Sequence, residues 1–276
     1  FLKFDAWSWR RTGQSARTEA PGSRILCFGD SQVQRGVIAP ILESRTGRPA
    51  FNLALGGGQA VSSYVLLRRT LEAGARPDAV LVDFFPGLLA GDPLAPLDAW
   101  APIADYADAL DLAVAGRDAD IFTEVALAKL HPTYRERHAI RGNLTSALLG
   151  EDHADRHLVP PFVRRNMRLN RGAFLCPDPP EPKGDLEAEG RKHFKEDWAC
   201  HPLNARYLVR FMELAASRKI PVFWLILPID PGLQRISERT GVDAKHLAFA
   251  REIQARFPNV TVLDGRASGY GPSAFF

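Results

Sequence analysis

Short apolar runs alternate with helix-like patterns in two parts of the chain. Five of these runs have the length and near-continuous apolar character of buried strands. They lie at 24–28 (RILCF), 50–55 (AFNLAL), 79–85 (AVLVDFF), 220–227 (IPVFWLIL) and 260–265 (VTVLDG). Strands that are apolar on both faces are typical of parallel sheets covered by helices. The pattern therefore predicts an α/β fold with a three-layer, flavodoxin-like core around a parallel five-stranded sheet.

The segments between these runs carry apolar residues at helical spacing. They predict helices over 32–47, 58–75, 204–219 and 243–257. The first is predicted as one continuous helix despite Pro40, and it ends at Gly47. The second ends at Gly74, as helices commonly end at glycine.

Residues 87–200 interrupt the alternation and predict a long, mainly helical insertion, with the role of a lid or an edge cover. Helices are expected near 98–115, 119–129 and 134–149. The stretch 176–198 is rich in proline, glycine and charge, which predicts an exposed excursion. Residues 1–22 are predicted to be an irregular flank, with 13–22 as a linker. The chain is thus read as this flank followed by one α/β domain over 23–276.

Composition narrows the possible partners. The 276 residues are 46% hydrophobic and 24% charged, which is typical of globular proteins. The net charge of +3 is small and the arginines are dispersed along the sequence, so no nucleic-acid partner is expected. No apolar run approaches the roughly 18 residues of a membrane span. Because the chain begins at Phe1, an export or anchor segment could precede it.

The cysteines and histidines do not have the spacing of a zinc site, so no metal is expected. Cys27 lies in a predicted strand and is interpreted as a small core residue. Cys176 and Cys200 flank a loop-rich stretch, where they could pair in an exported protein or remain unpaired.

The tripeptide Gly29-Asp30-Ser31 follows the first predicted strand and precedes a helix. Open α/β sheets bind ligands at the carboxyl ends of their strands. The first N–H groups of a helix are unpaired and carry positive dipole character. A hydroxyl there can attack a carbonyl carbon while neighbouring amides stabilise the oxyanion. Ser31 is therefore a candidate nucleophile, unless Asp30 or Ser31 merely caps the helix.

A glycine-rich stretch at 52–60 (NLALGGGQA) follows the second strand and opens the next helix. Glycines allow close approach of the backbone, and their N–H groups can bind an anion. Gly57 and Gly58 are therefore candidate oxyanion donors, with tight strand–helix packing as the alternative. A nucleotide-binding domain is a weaker hypothesis, because residue 61 is valine and the G-x-G-x-x-G pattern is incomplete.

Together, these two stretches resemble the SGNH (GDSL-type) hydrolase family over 24–86 and 202–276. The resemblance implies that Ser31 is the nucleophile, with Asp30 beside it. It also implies that Asn52 is the leading asparagine of the second block and that the Gly57 amide joins the oxyanion hole. The implied chemistry needs no metal or cofactor. The insertion and the stretch 203–228 look more like extracytoplasmic members that handle acyl groups on polysaccharides.

The chain departs from the family pattern in two places. The third block of the family places an asparagine after the third strand, where this chain has Phe85 and Pro86. The last block is Asp-x-x-His shortly after the last strand, and it supplies the general base. The stretch that follows VTVLDG ends in GYGPSAFF and lacks this block.

Other residues could complete the site. His201 is the candidate base, because the helix that it opens begins at the carboxyl edge of the sheet. His246 lies within a predicted helix and is expected at the surface. Asp83 in the third strand and Asp264 at the end of the fifth are candidate site carboxylates, although such aspartates often only cap turns.

Two functions follow from these expectations. The first is a serine esterase or O-acyltransferase acting on ester-linked acyl groups, such as acetyl, of a small molecule or a glycan. The alternative is a catalytically inactive domain of the same fold that binds glycans or partners.

Overall fold

The computed structural model describes residues 3–95, 97–148, 159–175 and 185–269. Its five strands are β1 (Ile25–Phe28), β2 (Ala50–Asn52), β3 (Ala79–Val82), β4 (Val222–Ile226) and β5 (Val260–Asp264). They form one sheet in the order β2-β1-β3-β4-β5, and every neighbouring pair is parallel. The predicted α/β fold with a parallel five-stranded sheet is confirmed.

Helices cover both faces of this sheet. They are α1 (Lys3–Thr18), α2 (Ser31–Gly36), α3 (Ala39–Thr46), α4 (Ala60–Glu72), α5 (Pro86–Leu89), α6 (Tyr106–Gly116), α7 (Asp120–Leu130), α8 (Pro132–Arg135), α9 (Arg137–Leu148), α10 (Pro161–Leu169), α11 (Leu186–His193), α12 (Pro202–Ser217), α13 (Pro231–Arg239) and α14 (Val242–Arg256). The larger core joins one face to α1, α4, α12 and α14, and a smaller core joins the other face to α2 and α3. This layering is consistent with a three-layer, flavodoxin-like fold.

The prediction of an irregular flank over 1–22 is wrong, because α1 occupies most of it. Trp9 and Ala16 are buried in the larger core, and Trp9 packs edge-to-face on Trp100 with ring centroids 5.8 Å apart. The helix has few apolar residues among many polar ones, so its buried face is weakly marked in the sequence.

The predicted helix over 32–47 is two helices. The chain is extended at Val37 and Ile38, and α3 begins at Ala39 with Pro40 in its first turn. Proline lacks an N–H and restricts the preceding residue, so it is tolerated at the start of a helix but breaks the interior. The predicted end at Gly47 is confirmed, since this residue adopts the left-handed conformation with φ +68°.

The described part of 87–200 is largely helical. The helix predicted at 98–115 is shorter, because only a 3₁₀ turn precedes α6. Most residues of 185–198 are exposed, as the composition predicts, but the stretch is anchored to the core at two positions. Phe194 and Trp198 are buried, and the Trp198 indole donates to the Pro86 carbonyl oxygen over 2.7 Å. Residues 176–184 lie outside the described part of the chain.

Two of the cysteines lie in the described part of the chain. Cys27 is buried in β1, as predicted. Cys200 is a free thiol, and Cys176 lies outside the described residues. Among the helices described, none combines the length and the apolar character that a membrane crossing requires.

Candidate functional site

The carboxyl ends of β1 and β3 mark the point at which the sheet changes winding direction. The chain crosses from β1 to β2 on one side and continues through β3, β4 and β5 on the other. Ligands of open α/β sheets bind at such a switch point. A cleft of about 30 Å³, enough for about two water molecules, lies next to this point at the carboxyl ends of β3 and β4, and of the Ser31 helix only Gln32 lines it. Its lining includes Gln32, Asp83, Phe85, Asp243, His246 and Arg266.

Ser31 is the first residue of α2 and is partly buried. Asp30 is the N-cap of this helix, since its Oδ1 accepts a hydrogen bond from the Gln32 N–H over 2.7 Å. Within the described residues, the hydroxyl and the N–H of Ser31 make no hydrogen bond. The capping interpretation therefore applies to Asp30 and leaves the Ser31 hydroxyl available.

The glycine loop after β2 lies directly against the Ser31 turn. The Gly29 carbonyl oxygen accepts a hydrogen bond from the Leu55 N–H over 3.0 Å. A Cβ atom on Gly58 would lie 2.3 Å from the same oxygen, so only glycine fits there. The structure thus brings together the two stretches that the sequence singled out.

Gly57 and Gly58 have different surroundings. The Gly58 N–H is bonded to the Leu55 carbonyl oxygen over 2.9 Å, and Gly58 is buried, so tight packing accounts for it. Gly57 is exposed, has φ +69° and faces open space. Its N–H makes no hydrogen bond within the described part of the chain, and it remains a possible oxyanion donor.

Helix α1 supports this loop from outside the sheet. The Trp9 indole donates to the Gly56 carbonyl oxygen over 3.0 Å. Trp9 is thus a site-supporting residue that the sequence analysis missed, because the flank was taken to be irregular.

The side-chain amide of Asn52 is hydrogen-bonded to backbone groups and has a structural role. Its Nδ2 donates to the carbonyl oxygens of Val33 and Val37, both over 2.8 Å, and its Oδ1 accepts from the Ala54 N–H over 2.9 Å. The amide therefore ties the end of α2 to the chain that leaves β2.

Two buried carboxyl groups lie beneath Ser31. The Oδ2 of Asp30 accepts a hydrogen bond from the Phe85 N–H over 3.2 Å, which links the turns after β1 and β3. Burial raises the pKa of Asp30 to about 6. Burial, together with the charge of Asp30, raises the pKa of Asp83 well above its usual range. Each carboxyl group therefore makes ionisation of the other less favourable.

His246 lies in the interior and not at the surface, which corrects the sequence expectation. It is only 4% exposed, lines the cleft and contacts the rings of Trp198 and Trp224. Burial lowers its pKa to about 4, so the ring is neutral at physiological pH. Its Nε2 has no hydrogen-bond partner in the described part of the chain.

The sequence does contain an Asp-x-x-His pattern, but it precedes the last strand instead of following it. Asp243, Ala244, Lys245 and His246 lie in α14, before β5. Asp243 forms an ion pair with Arg266 and accepts a hydrogen bond from Gln234 over 3.0 Å. A search for the pattern on either side of the last strand would have found His246.

The side chains of the two remaining candidates already have hydrogen-bond partners. His201 is at the carboxyl edge, as predicted, but it is the N-cap of α12, with Nδ1 accepting from the Leu203 N–H over 3.3 Å. Asp264 ends β5, three strands from β1, or about 14 Å at ~4.8 Å per strand. Hydrogen bonding to Arg266 lowers the pKa of Asp264. The site at β1 and β3 therefore does not include Asp264.

No protein-family model matches this chain, and the comparison with curated proteins gives no match either. The functional assignment therefore rests on the geometry of the site.

Proposed function

We propose that the protein is an SGNH-like serine esterase or O-acyltransferase acting on ester-linked acyl groups of a small molecule or a glycan. The observation that carries this proposal is the position of Ser31. Its hydroxyl lies at the start of α2, at the switch point of the sheet, with the Gly57 loop in contact with its turn.

The proposed reaction proceeds through an acyl-enzyme. The Ser31 oxygen attacks the ester carbonyl carbon, and its proton passes to a base. The N–H groups of Ser31 and Gly57 stabilise the negative charge on the carbonyl oxygen. The C–O bond to the alcohol then breaks, and the alcohol leaves with the proton. Water or a sugar hydroxyl attacks the acyl-Ser31 ester, which releases an acid or a new ester and restores the serine.

His246 is our candidate for the base. It lines the same cleft as Gln32, the neighbour of Ser31, and its neutral ring has a free Nε2 within the described residues. A neutral imidazole is the form that accepts a proton. His201 is less suited, because one ring nitrogen already caps α12.

Labelling with a fluorophosphonate probe, followed by mapping of the modified residue, tests the nucleophile. We expect modification at Ser31 and none in Ser31→Ala. Ser237, which also lines the cleft, provides the control, since Ser237→Ala should still be labelled. A folded wild-type protein that does not react would contradict the proposal and favour the inactive, glycan- or partner-binding alternative.

Hydrolysis of an aryl acetate by His246→Gln and His201→Gln tests the base. A positioned general base contributes about 10²- to 10⁴-fold. His246→Gln should therefore lower kcat by about 100-fold or more, whereas His201→Gln should change kcat less than about threefold. The reverse order would assign the base to His201.

A further inference from the structure

Helix α10 belongs to the insertion, yet the chain that follows it is fixed against the catalytic side of the sheet. The Arg171 carbonyl oxygen accepts from the Asn52 N–H, and the Phe174 N–H donates to the Gln34 carbonyl oxygen, both over 2.9 Å. Gly172 has φ +93°, and a Cβ atom there would lie 1.9 Å from the Asn52 oxygen. The end of α10 is therefore held beside α2, the helix that Ser31 opens.

The outer side of α10 is basic. The helix buries Val163 and Met167, and it exposes Arg164, Arg165 and Arg168. At 100° per residue, Arg165 lies opposite the two buried residues, whereas Arg168 and Arg164 lie about 120° and about 80° from their centre, on the flank of the helix.

Helix α2 adds a fourth cation. Arg35 is exposed and lies four residues after Ser31, so it shares a helix face with the proposed nucleophile. We refer to Arg35, Arg164, Arg165 and Arg168 together as the arginine face.

Within the described part of the chain, no acidic side chain neutralises the arginine face. The sequence has no acidic residue in 31–42 or in 159–175. None of the four arginines forms an ion pair within the described residues, whereas the neighbouring Arg171 pairs with Glu43. A concentration of one charge sign beside a site attracts ligands of the opposite sign.

We propose that the arginine face binds an acidic polysaccharide and presents its esters to Ser31. This inference rests on the proposed acyl-ester chemistry. Guanidinium groups match carboxylate and sulfate groups bidentately. The exposed ring of Phe162, 55% accessible on the same helix, offers an apolar surface to the C–H face of a sugar ring. A glycan chain fits this combination of cations and a single aromatic side chain.

Binding of polygalacturonate, chondroitin sulfate and neutral dextran by the full chain tests this inference. The combined variant Arg164→Glu/Arg165→Glu/Arg168→Glu should weaken binding of one or both acidic polymers at least tenfold. Arg76→Glu is the charge-reversal control, because Arg76 is exposed just before the amino end of β3, away from the carboxyl ends of the strands. It should change affinity less than twofold. Unchanged binding by the triple variant, or equal binding of dextran, would overturn the inference. Tighter binding of single-stranded DNA than of either acidic polymer would also overturn it.

The same variants separate this inference from the proposed catalysis. Hydrolysis of a neutral aryl acetate should stay within twofold of wild type in the triple variant, while hydrolysis of an acetylated acidic polysaccharide falls. Ser31→Ala should abolish both reactions and retain polymer binding. Arginine-dependent polymer binding without any reactivity at Ser31 would support the role proposed for the arginine face and contradict only the proposed catalysis. If the triple variant hydrolyses aryl acetate and also binds the polymers as wild type does, only the polymer-binding role of the arginine face would be contradicted.

Discussion

The buried carboxyl groups of Asp30 and Asp83 repel each other at the switch point of the sheet, directly behind the proposed nucleophile. Asp30 caps α2 through the Gln32 N–H and reaches across to the Phe85 N–H. Asp83 accepts hydrogen bonds from the backbone of Phe84 and Leu227. The pair therefore links the turns after β1, β3 and β4, but it does so at an electrostatic cost when both groups are ionised.

Replacing Asp83 with asparagine should stabilise the protein at alkaline pH. The folded pKa of Asp83 is raised, so its contribution to stability is complete below the unfolded value of about 3.9 and is lost as pH rises through the folded value. Asparagine keeps an acceptor oxygen and removes the charge. Denaturant unfolding should show a gain in stability at pH 8 that shrinks as the pH falls and vanishes near pH 4. Asp197→Asn, at an exposed position, should show no such pH-dependent gain. If Asp83→Asn is less stable than wild type at pH 8, the inferred cost of the Asp83 charge is wrong.

Trp9→Phe should loosen the glycine loop while it preserves the core. The variant keeps the ring that packs on Trp100 and loses the hydrogen bond to the Gly56 oxygen. A lost hydrogen bond of this kind costs about 1 kcal/mol, which denaturant unfolding measures. If the loop supplies the oxyanion donor, kcat for an aryl acetate should also fall, with KM little changed. If Trp9→Phe is less stable but fully active, Trp9 has no role in the proposed catalysis.

Gly58→Ala should be more damaging than Gly57→Ala. A methyl group at residue 58 would overlap the Gly29 carbonyl oxygen and push the glycine loop away from the Ser31 turn. At residue 57 the space is open, so alanine meets only the strain of φ +69°, about 1 kcal/mol. Thermal unfolding and fluorophosphonate labelling of both variants compare the two effects. Equal melting temperatures would contradict the close contact between the loops.

The ion pairs around Asp108 should anchor the insertion to α4. Asp108 is buried and pairs with Arg68 and with the buried Arg69. Among the described residues, Asp108→Asn leaves the Arg69 charge with the contact to Asp105 at 2.9 Å alone, and it should cost about 3 kcal/mol in denaturant unfolding. Glu72→Gln is the control, because the exposed Glu72 pairs with Arg68 at 3.6 Å and should cost less than about 0.5 kcal/mol. Similar costs for the two variants would contradict the anchoring role.

The strands and the Ser31 turn were predictable because their signals are local. Buried parallel strands are continuous apolar runs, and Gly29-Asp30-Ser31 directly follows one of them. Helix α1 was not predictable in the same way, because its few apolar residues gain meaning only when Trp9 meets Trp100 and Gly56. The polar composition of 185–198 predicts the exposure of most of its residues but not the burial of Phe194 and Trp198, which depends on packing against distant segments.

The class of sheet, the Ser31 turn and the glycine-rich stretch are readable from the sequence, because strand, turn and helix signals are carried by neighbouring residues. The contact between the two stretches and the remaining parts of the site arise only in the folded protein. The tertiary structure placed His246 in the interior beside the cleft, opposed Asp30 to Asp83, and kept Asp264 three strands away. These relationships depend on burial and on strand order, which arise when distant segments pack together.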